Sequence, residues 1–146
     1  MKYYYDYPRP AVTADIVVLK QQDNRYFVLL IERKHPPFEG MWAFPGGFMD
    51  MDETLEETAL RELEEETGLS GVELEQFYTF SAVNRDPRHR TITTVFIGFA
   101  DGITVKPHAA DDASAVEWFP LDGLPPLAFD HGMVMELVKN KFNGVL

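Results

Sequence analysis

Apolar residues along the chain gather into dense segments of two kinds, one set with the short period of strands and two with the longer period of helices. Val12 to Leu19 and Tyr26 to Ile31 predict two strands joined by the polar turn Gln21 to Arg25, with Pro8 and Pro10 ending an aromatic lead-in. Val72 to Phe80, Thr91 to Ala100 and Val116 to Phe119 are further strands, with a turn at Asp101-Gly102 and Glu117 alternating outward from its apolar neighbours. Gly132 to Phe142 predicts a helix near the end.

The other helix is the better delimited. Thr54 followed three residues later by Glu57 forms a capping box, and Gly68 then Leu69 supplies a C′ glycine with its apolar follower, so a helix runs from about Leu55 to Thr67. At about 100° per residue, Leu55, Ala59 and Leu63 make one stripe that must face a core. Glu66 falls within that stripe and Glu62 at its edge. Strands on both sides of a helix give an α/β layered domain.

Carboxylates pointed at an apolar face need a counter-ion, because burying an unpaired charge is costly. A hard divalent cation is one solution, since Mg²⁺ takes oxygen ligands from one or two carboxylates plus water and phosphates. Glu62, Glu65 and Glu66 stand at i, i+3 and i+4, neighbours on a helix surface. Glu56, Glu57 and Glu64 read instead as a solvated acidic face, although Glu56 also lies near the stripe's edge, so wheel angle alone does not select the ligands. Upstream, Gly46-Gly47 after Pro45 can bend sharply and bring backbone close to a ligand.

Composition narrows the field. With 146 residues and 45% apolar content, the chain is expected to form one globular domain over 1-146. Its net charge of −11 argues against bulk binding to nucleic acid or anionic membrane. The absence of cysteine removes a thiol nucleophile and any disulfide framework. No apolar run approaches the ~20 residues a membrane span needs, and the first residues carry no apolar signal core, so the cytoplasm is the simplest placement.

Written out, Gly47-x5-Glu53-x7-Arg61-Glu62-Leu63-x-Glu65-Glu66-x-Gly68-Leu69 matches all nine fixed positions of the signature box of the Nudix hydrolases, which this chain resembles from about Ala11 to Lys139. The resemblance implies the Nudix fold, a mixed β-sheet sandwiched between α-helices. It also implies that Glu62, Glu65 and Glu66 bind Mg²⁺ or Mn²⁺, often with the Gly46 carbonyl, that Glu53 is an accessory ligand, and that Arg61 orients a glutamate. Arg33 resembles the arginine that these enzymes place near substrate phosphate. Trp42, just before Pro45, is expected to pack against the core rather than stack on a base.

Asn84-Arg85-Asp86-Pro87-Arg88-His89-Arg90 concentrates positive charge in an acidic chain. Arg-Asp-Pro-Arg here, and Leu127-Ala128-Phe129-Asp130-His131 later, resemble the ADP-ribose pyrophosphatase branch. That implies a nucleotide-sugar or other nucleoside diphosphate substrate, with Arg85 and Arg88 as substrate-binding residues and AMP and ribose 5-phosphate as products from ADP-ribose. Arg85 and Arg88 are otherwise read as a solvated turn fixed by Asp86. His89 is expected to be exposed and His131 to pack or cap. The general base is a box glutamate or a later carboxylate, with Asp111 and Asp112 as candidates. Two alternatives stand beside this reading: a pyrophosphohydrolase of nucleoside triphosphates, including oxidised ones, and a non-catalytic ligand sensor of the kind joined to a winged helix, for which the short tail leaves no room. A homodimer is compatible with all three.

Overall fold

The structure is a computed structural model that describes residues 2–101, 106–109 and 113–142. Its elements run β1 (Ala11–Gln22), β2 (Arg25–Arg33), β3 (Trp42–Ala43), β4 (Gly46–Phe48), α1 (Leu55–Thr67), β5 (Glu75–Phe80), β6 (Thr91–Phe99), β7 (Ala113–Pro120) and α2 (His131–Lys141). The strands form one mixed sheet whose main path is β3-β2-β1-β6-β5, with β4 paired to β1 and β7 to β2.

The two faces of the sheet explain why β1 and β2 read as dense apolar runs. Ala14, Ile16 and Val18 of β1 pack on one face with Ala59 and Leu63 of α1. Val17 and Leu19 point to the other, where Val134, Met135 and Val138 of α2 cover them. A strand buried on both sides has no polar face to alternate with. The expected sandwich of a mixed sheet between helices is therefore what the chain forms.

One irregularity positions the site. Strand β1 runs parallel to β6 from Ala11 to Leu19, but on its other edge it meets β2 only over Leu19–Gln22 and β4 over Thr13–Asp15. Strand β2 likewise leaves β1 after Val28 and takes β3 at Ile31 and Glu32. The sheet thus forks, and the Trp42–Phe48 segment fills the fork, tied in by the Ile16 N–H donating to the Pro45 carbonyl at 2.8 Å. This segment was expected only as a turn, because two- and three-residue strands carry no readable period.

Other differences are small and have local causes. Strand β5 begins at Glu75 rather than Val72, since Gly71 adopts φ +77° and turns Val72 into the core beneath α1. Strand β7 is longer than Val116 to Phe119 because β2 pairs with it as far as Arg33. Trp42 packs edge-on against Phe119, with ring centroids 4.8 Å apart, as expected. Of the turn expected at Asp101-Gly102, Asp101 accepts a hydrogen bond from the Gln21 N–H, and Gly102 lies outside the described residues.

Candidate active site

Helix α1 is capped as its sequence predicts: Thr54 and Glu57 exchange side-chain and backbone hydrogen bonds, and Gly68 ends it at φ +77°. That fixed start and stop determine which acids face the sheet. The Glu62 side chain is 14% exposed and Glu65 48%. Glu66 reaches across to the fork, where its Oε2 accepts from the Gly46 N–H at 3.0 Å. Burial, reinforced by the charges of Glu65 and Glu53, pushes the Glu62 carboxyl above its ordinary value despite Arg61. The inward placement of Glu62 and Glu66 matches the helical stripe.

Arg61 is the hub of the acids. Its guanidinium donates to Glu53 through both Nε and Nη2, to Glu62 at 2.7 Å, to Glu65 at 3.2 Å, and to the Phe48 carbonyl at 2.9 Å. Hydrogen bonds from Arg61 and from the Asp50 N–H hold the Glu53 carboxyl down to about 2. The glycines of the fork make room for this arrangement. A Cβ on Gly47 would collide with the Glu62 carboxylate, and one on Gly46 with Asp15 Oδ1.

Across a cleft of about 450 Å³ from Glu62 and Glu66 lie Arg33, Arg85 and Arg88, which share its lining with Asp15, Phe48, Phe129 and His131. Arg33 and Arg88 both stack on the Phe129 ring, at 4.9 and 5.5 Å from its centroid, and Arg88 also covers Phe48 at 5.3 Å. Arg33 donates to the carbonyls of Pro37 and His35, and burial together with the Arg88 charge lowers its pKa. Two cations held near one ring, with carbonyl and single-carboxylate partners, form an anion-receptive wall. Acids and cations therefore meet in one cleft, a layout suited to an anion bridged by metal on one side and by guanidinium on the other.

A model of the NUDIX domain matches residues 9–138. The chain is 43% identical over 136 residues to the ADP-ribose pyrophosphatase of Methanocaldococcus jannaschii, covering 93% of this chain and 77% of that protein. It belongs to the Nudix hydrolase family. Among solved structures, the NUDIX domain of Shewanella oneidensis NrtR complexed with ADP ribose superposes with a TM-score of 0.87 at 33% identity, covering 95% of this chain and 94% of that one. The ADPR responsive transcriptional repressor NtrR of Acinetobacter baylyi is 30% identical over 94% of this chain, which spans only 56% of the repressor's length.

Nudix hydrolases generally use divalent metals, and the donors of this chain fit one. Glu62, Glu65, Glu66 and the Gly46 carbonyl are all hard oxygen ligands, the set that Mg²⁺ or Mn²⁺ prefers. Among the described residues no three acidic or histidine side chains are gathered closely enough to hold an ion as they stand. Arg61 supplies positive charge among these carboxylates, bonded to Glu53, Glu62 and Glu65.

The arginine segment divides into two roles. Arg85 is 4% exposed and makes a bidentate pair with Asp130 at 2.9 and 2.8 Å, so much of its donor capacity is committed within the fold. Arg88 pairs with the buried Asp86 and is 35% exposed. Arg85→Ala should cost about 2 kcal/mol of stability, because it strands the Asp130 carboxylate, and Arg88→Ala a similar amount, because the buried Asp86 side chain then keeps only the backbone N–H of residue 88 as a partner among the described residues. Urea unfolding checks this; a loss under about 0.5 kcal/mol in Arg85→Ala would show the Arg85–Asp130 pair to be no tie.

His89 is exposed as expected, with Nδ1 bonded to the Thr91 hydroxyl. His131 packs rather than caps: it is buried, stacks on Phe44 and accepts the Phe44 N–H at 3.1 Å. Asp111 and Asp112 lie outside the described residues. The sequence gives no site role to Asp15 or Phe48, and Phe129 figures only as part of the Leu127 to His131 run. Asp15 carried a signal, a lone acid inside the densest apolar strand, whereas the two phenylalanines were indistinguishable from core.

Proposed function

We propose that this Nudix hydrolase cleaves ADP-ribose to AMP and ribose 5-phosphate with Mg²⁺ or Mn²⁺ held by Glu62, Glu65, Glu66 and the Gly46 carbonyl, with Glu53 as accessory ligand. The observation that carries the reading is the single cleft in which Glu62 and Glu66 face Arg33 and Arg88. Similarity to an ADP-ribose pyrophosphatase and to a domain complexed with ADP ribose supports the choice of substrate. When bound, divalent ions screen the diphosphate and lower the pKa of an attacking water.

The protein's own groups do the rest. Arg33 and Arg88, braced by Phe129, grip phosphate oxygens by charge-assisted hydrogen bonds, and Arg85 lends its field from the pair with Asp130. Arg61 holds Glu53, Glu62 and Glu65 in place by hydrogen bonds and keeps Glu53 ionised. A box glutamate accepts the proton from water, with Asp111 or Asp112 as the alternative base. Water adds to one phosphorus, the anhydride P–O bond breaks, and the departing phosphate carries away the bridging oxygen. A local basic wall lets a chain of charge −11 admit a small dianion without binding nucleic acid through bulk charge. The same reading takes 1-146 as one domain, cytoplasmic, and compatible with a homodimer; no helix among the described residues is long and apolar enough to cross a membrane.

Product analysis with Mg²⁺ against ADP-ribose, NADH, diadenosine polyphosphates and oxidised dGTP tests the substrate. ADP-ribose should be best or near-best. A nucleoside triphosphate preferred by more than about tenfold in kcat/KM, or ~1.4 kcal/mol, would replace this assignment with triphosphate hydrolysis. Similarity to an ADPR responsive repressor favours a second reading, ADP-ribose sensing. Tight ADP-ribose binding without turnover would select it.

A further inference from the structure

Asp15 is an acid in a cleft meant for an anion, and neither the box nor the arginine wall accounts for it. Its side chain is 13% exposed and lines the cleft. Oδ2 accepts from the Thr93 hydroxyl at 2.6 Å and faces His131 Nε2 at 3.8 Å. Because His131 Nδ1 accepts the Phe44 N–H, the neutral ring must carry its proton on Nε2, turned toward Asp15. Burial works against the Asp15 charge, yet His131, Thr93 and the Arg85 guanidinium outweigh it and lower its pKa.

The other oxygen has a different situation. Among the described residues Oδ1 accepts no hydrogen bond, and it stands against Gly46, where a side chain would strike it. The N–H of the same Gly46 is bonded to Glu66. One lone carboxylate oxygen is thus held within a residue's width of the box acids. A phosphate oxygen at that point would meet like charge, whereas a hydroxyl would meet an ionised acceptor with its partners already in place.

We propose that Asp15 is a substrate-binding residue, whose Oδ1 accepts a hydrogen bond from a hydroxyl of a ribose joined to the scissile diphosphate. This rests on the diphosphatase reading above and adds to it a reason for selecting ribose. Thr93 and His131 are positioning residues that aim Oδ1 by fixing Oδ2. In ADP-ribose the hydroxyl could come from either the terminal or the adenosine ribose, both joined to the diphosphate through C5.

The test compares kcat/KM and calorimetric affinity for ADP-ribose with those for analogues lacking the 2- or 3-hydroxyl on one ribose or the other, in the wild type and in Asp15→Asn. At least one analogue should lose tenfold or more in the wild type, the scale of a hydrogen bond to a charged acceptor, and under about threefold in Asp15→Asn. The analogue that loses identifies which ribose is held. Losses under threefold for every analogue in the wild type overturn the proposal, and this arm needs no variant to fold. A wild-type loss that persists undiminished in a folded Asp15→Asn also overturns it, as does a uniform fall in kcat on all substrates without change in their ratio. Hydrolysis of ADP-ribose itself is scored separately, so the diphosphatase reading can stand while Asp15 fails. If ADP-ribose neither binds nor reacts, both are overturned.

Discussion

Replacing Glu66 with glutamine should lower kcat on the order of a thousandfold, about 4 kcal/mol of transition-state stabilisation, while the protein stays folded. The two halves of that expectation come from different atoms of one side chain. Glu66 Oε2 accepts the Gly46 N–H at 3.0 Å and so ties α1 to the fork of the sheet. A glutamine oxygen can accept the same bond, and the substitution removes one charge from a group of close acids, so stability should hold or rise. What glutamine cannot replace is an anionic oxygen ligand for a hard cation, whose Lewis acidity contributes several kcal/mol in phosphoryl chemistry. Turnover of the best substrate at saturating Mg²⁺, with thermal unfolding alongside, decides it. A folded Glu66→Gln protein within tenfold of the wild-type rate would remove Glu66 from the metal site.

The ease with which these acids are found in the sequence contrasts with how little it says of the fork and of Asp15, Phe48 and Phe129. Helix α1 was legible end to end because each of its signals is local: Thr54 and Glu57 at its start, Gly68 at its end, and a stripe of period 3.6 between them. The same stripe put Glu62 and Glu66 on the inward side, which is where they lie. The fork is a different kind of feature. It exists because β1 changes partner between Asp15 and Leu19, and no residue along β1 marks the change. The 42–48 segment, bent by Pro45 and Gly46, reads as a turn until both of its neighbours are known.

The arginine segment failed to separate for a related reason. Arg85 and Arg88 flank Asp86-Pro87 and look alike in sequence, and only the arrival of Asp130 from a point 45 residues away distinguishes them. The role of Phe129 was hidden similarly: it sits at φ +54° before α2, and its ring becomes part of the site only because Arg33 from the end of β2 and Arg88 from the loop before β6 converge on it. Asp15 was visible as an anomaly but had no meaning until Thr93, paired with Thr13 in the β1–β6 register, brought a hydroxyl to it. Local chemistry was readable from the chain, and chemistry made by long-range pairing was not.

Arg61→Ala should be the most informative second variant, because it separates the charge that the acids need from the contacts that orient them. The guanidinium bonds Glu53, Glu62, Glu65 and the Phe48 carbonyl, tying the loop before α1 to the helix itself. Without it Glu53 loses the partner that holds its pKa near 2, and the acids repel one another with no cation among them. Without divalent metal the melting temperature should fall by roughly 5 °C, as expected for loss of a partly buried charge hub. Added Mg²⁺ should then raise the melting temperature of Arg61→Ala more than that of the wild type, since the ion relieves a repulsion that Arg61 already relieves in the native protein. Turnover should nonetheless stay down by about tenfold to a hundredfold at saturating Mg²⁺, the usual loss when a group that orients metal ligands is removed. Equal metal-induced shifts in the two proteins would show that the ion binds away from these carboxylates, and full recovery of kcat/KM by metal alone would show Arg61 to be a counter-charge with no orienting role.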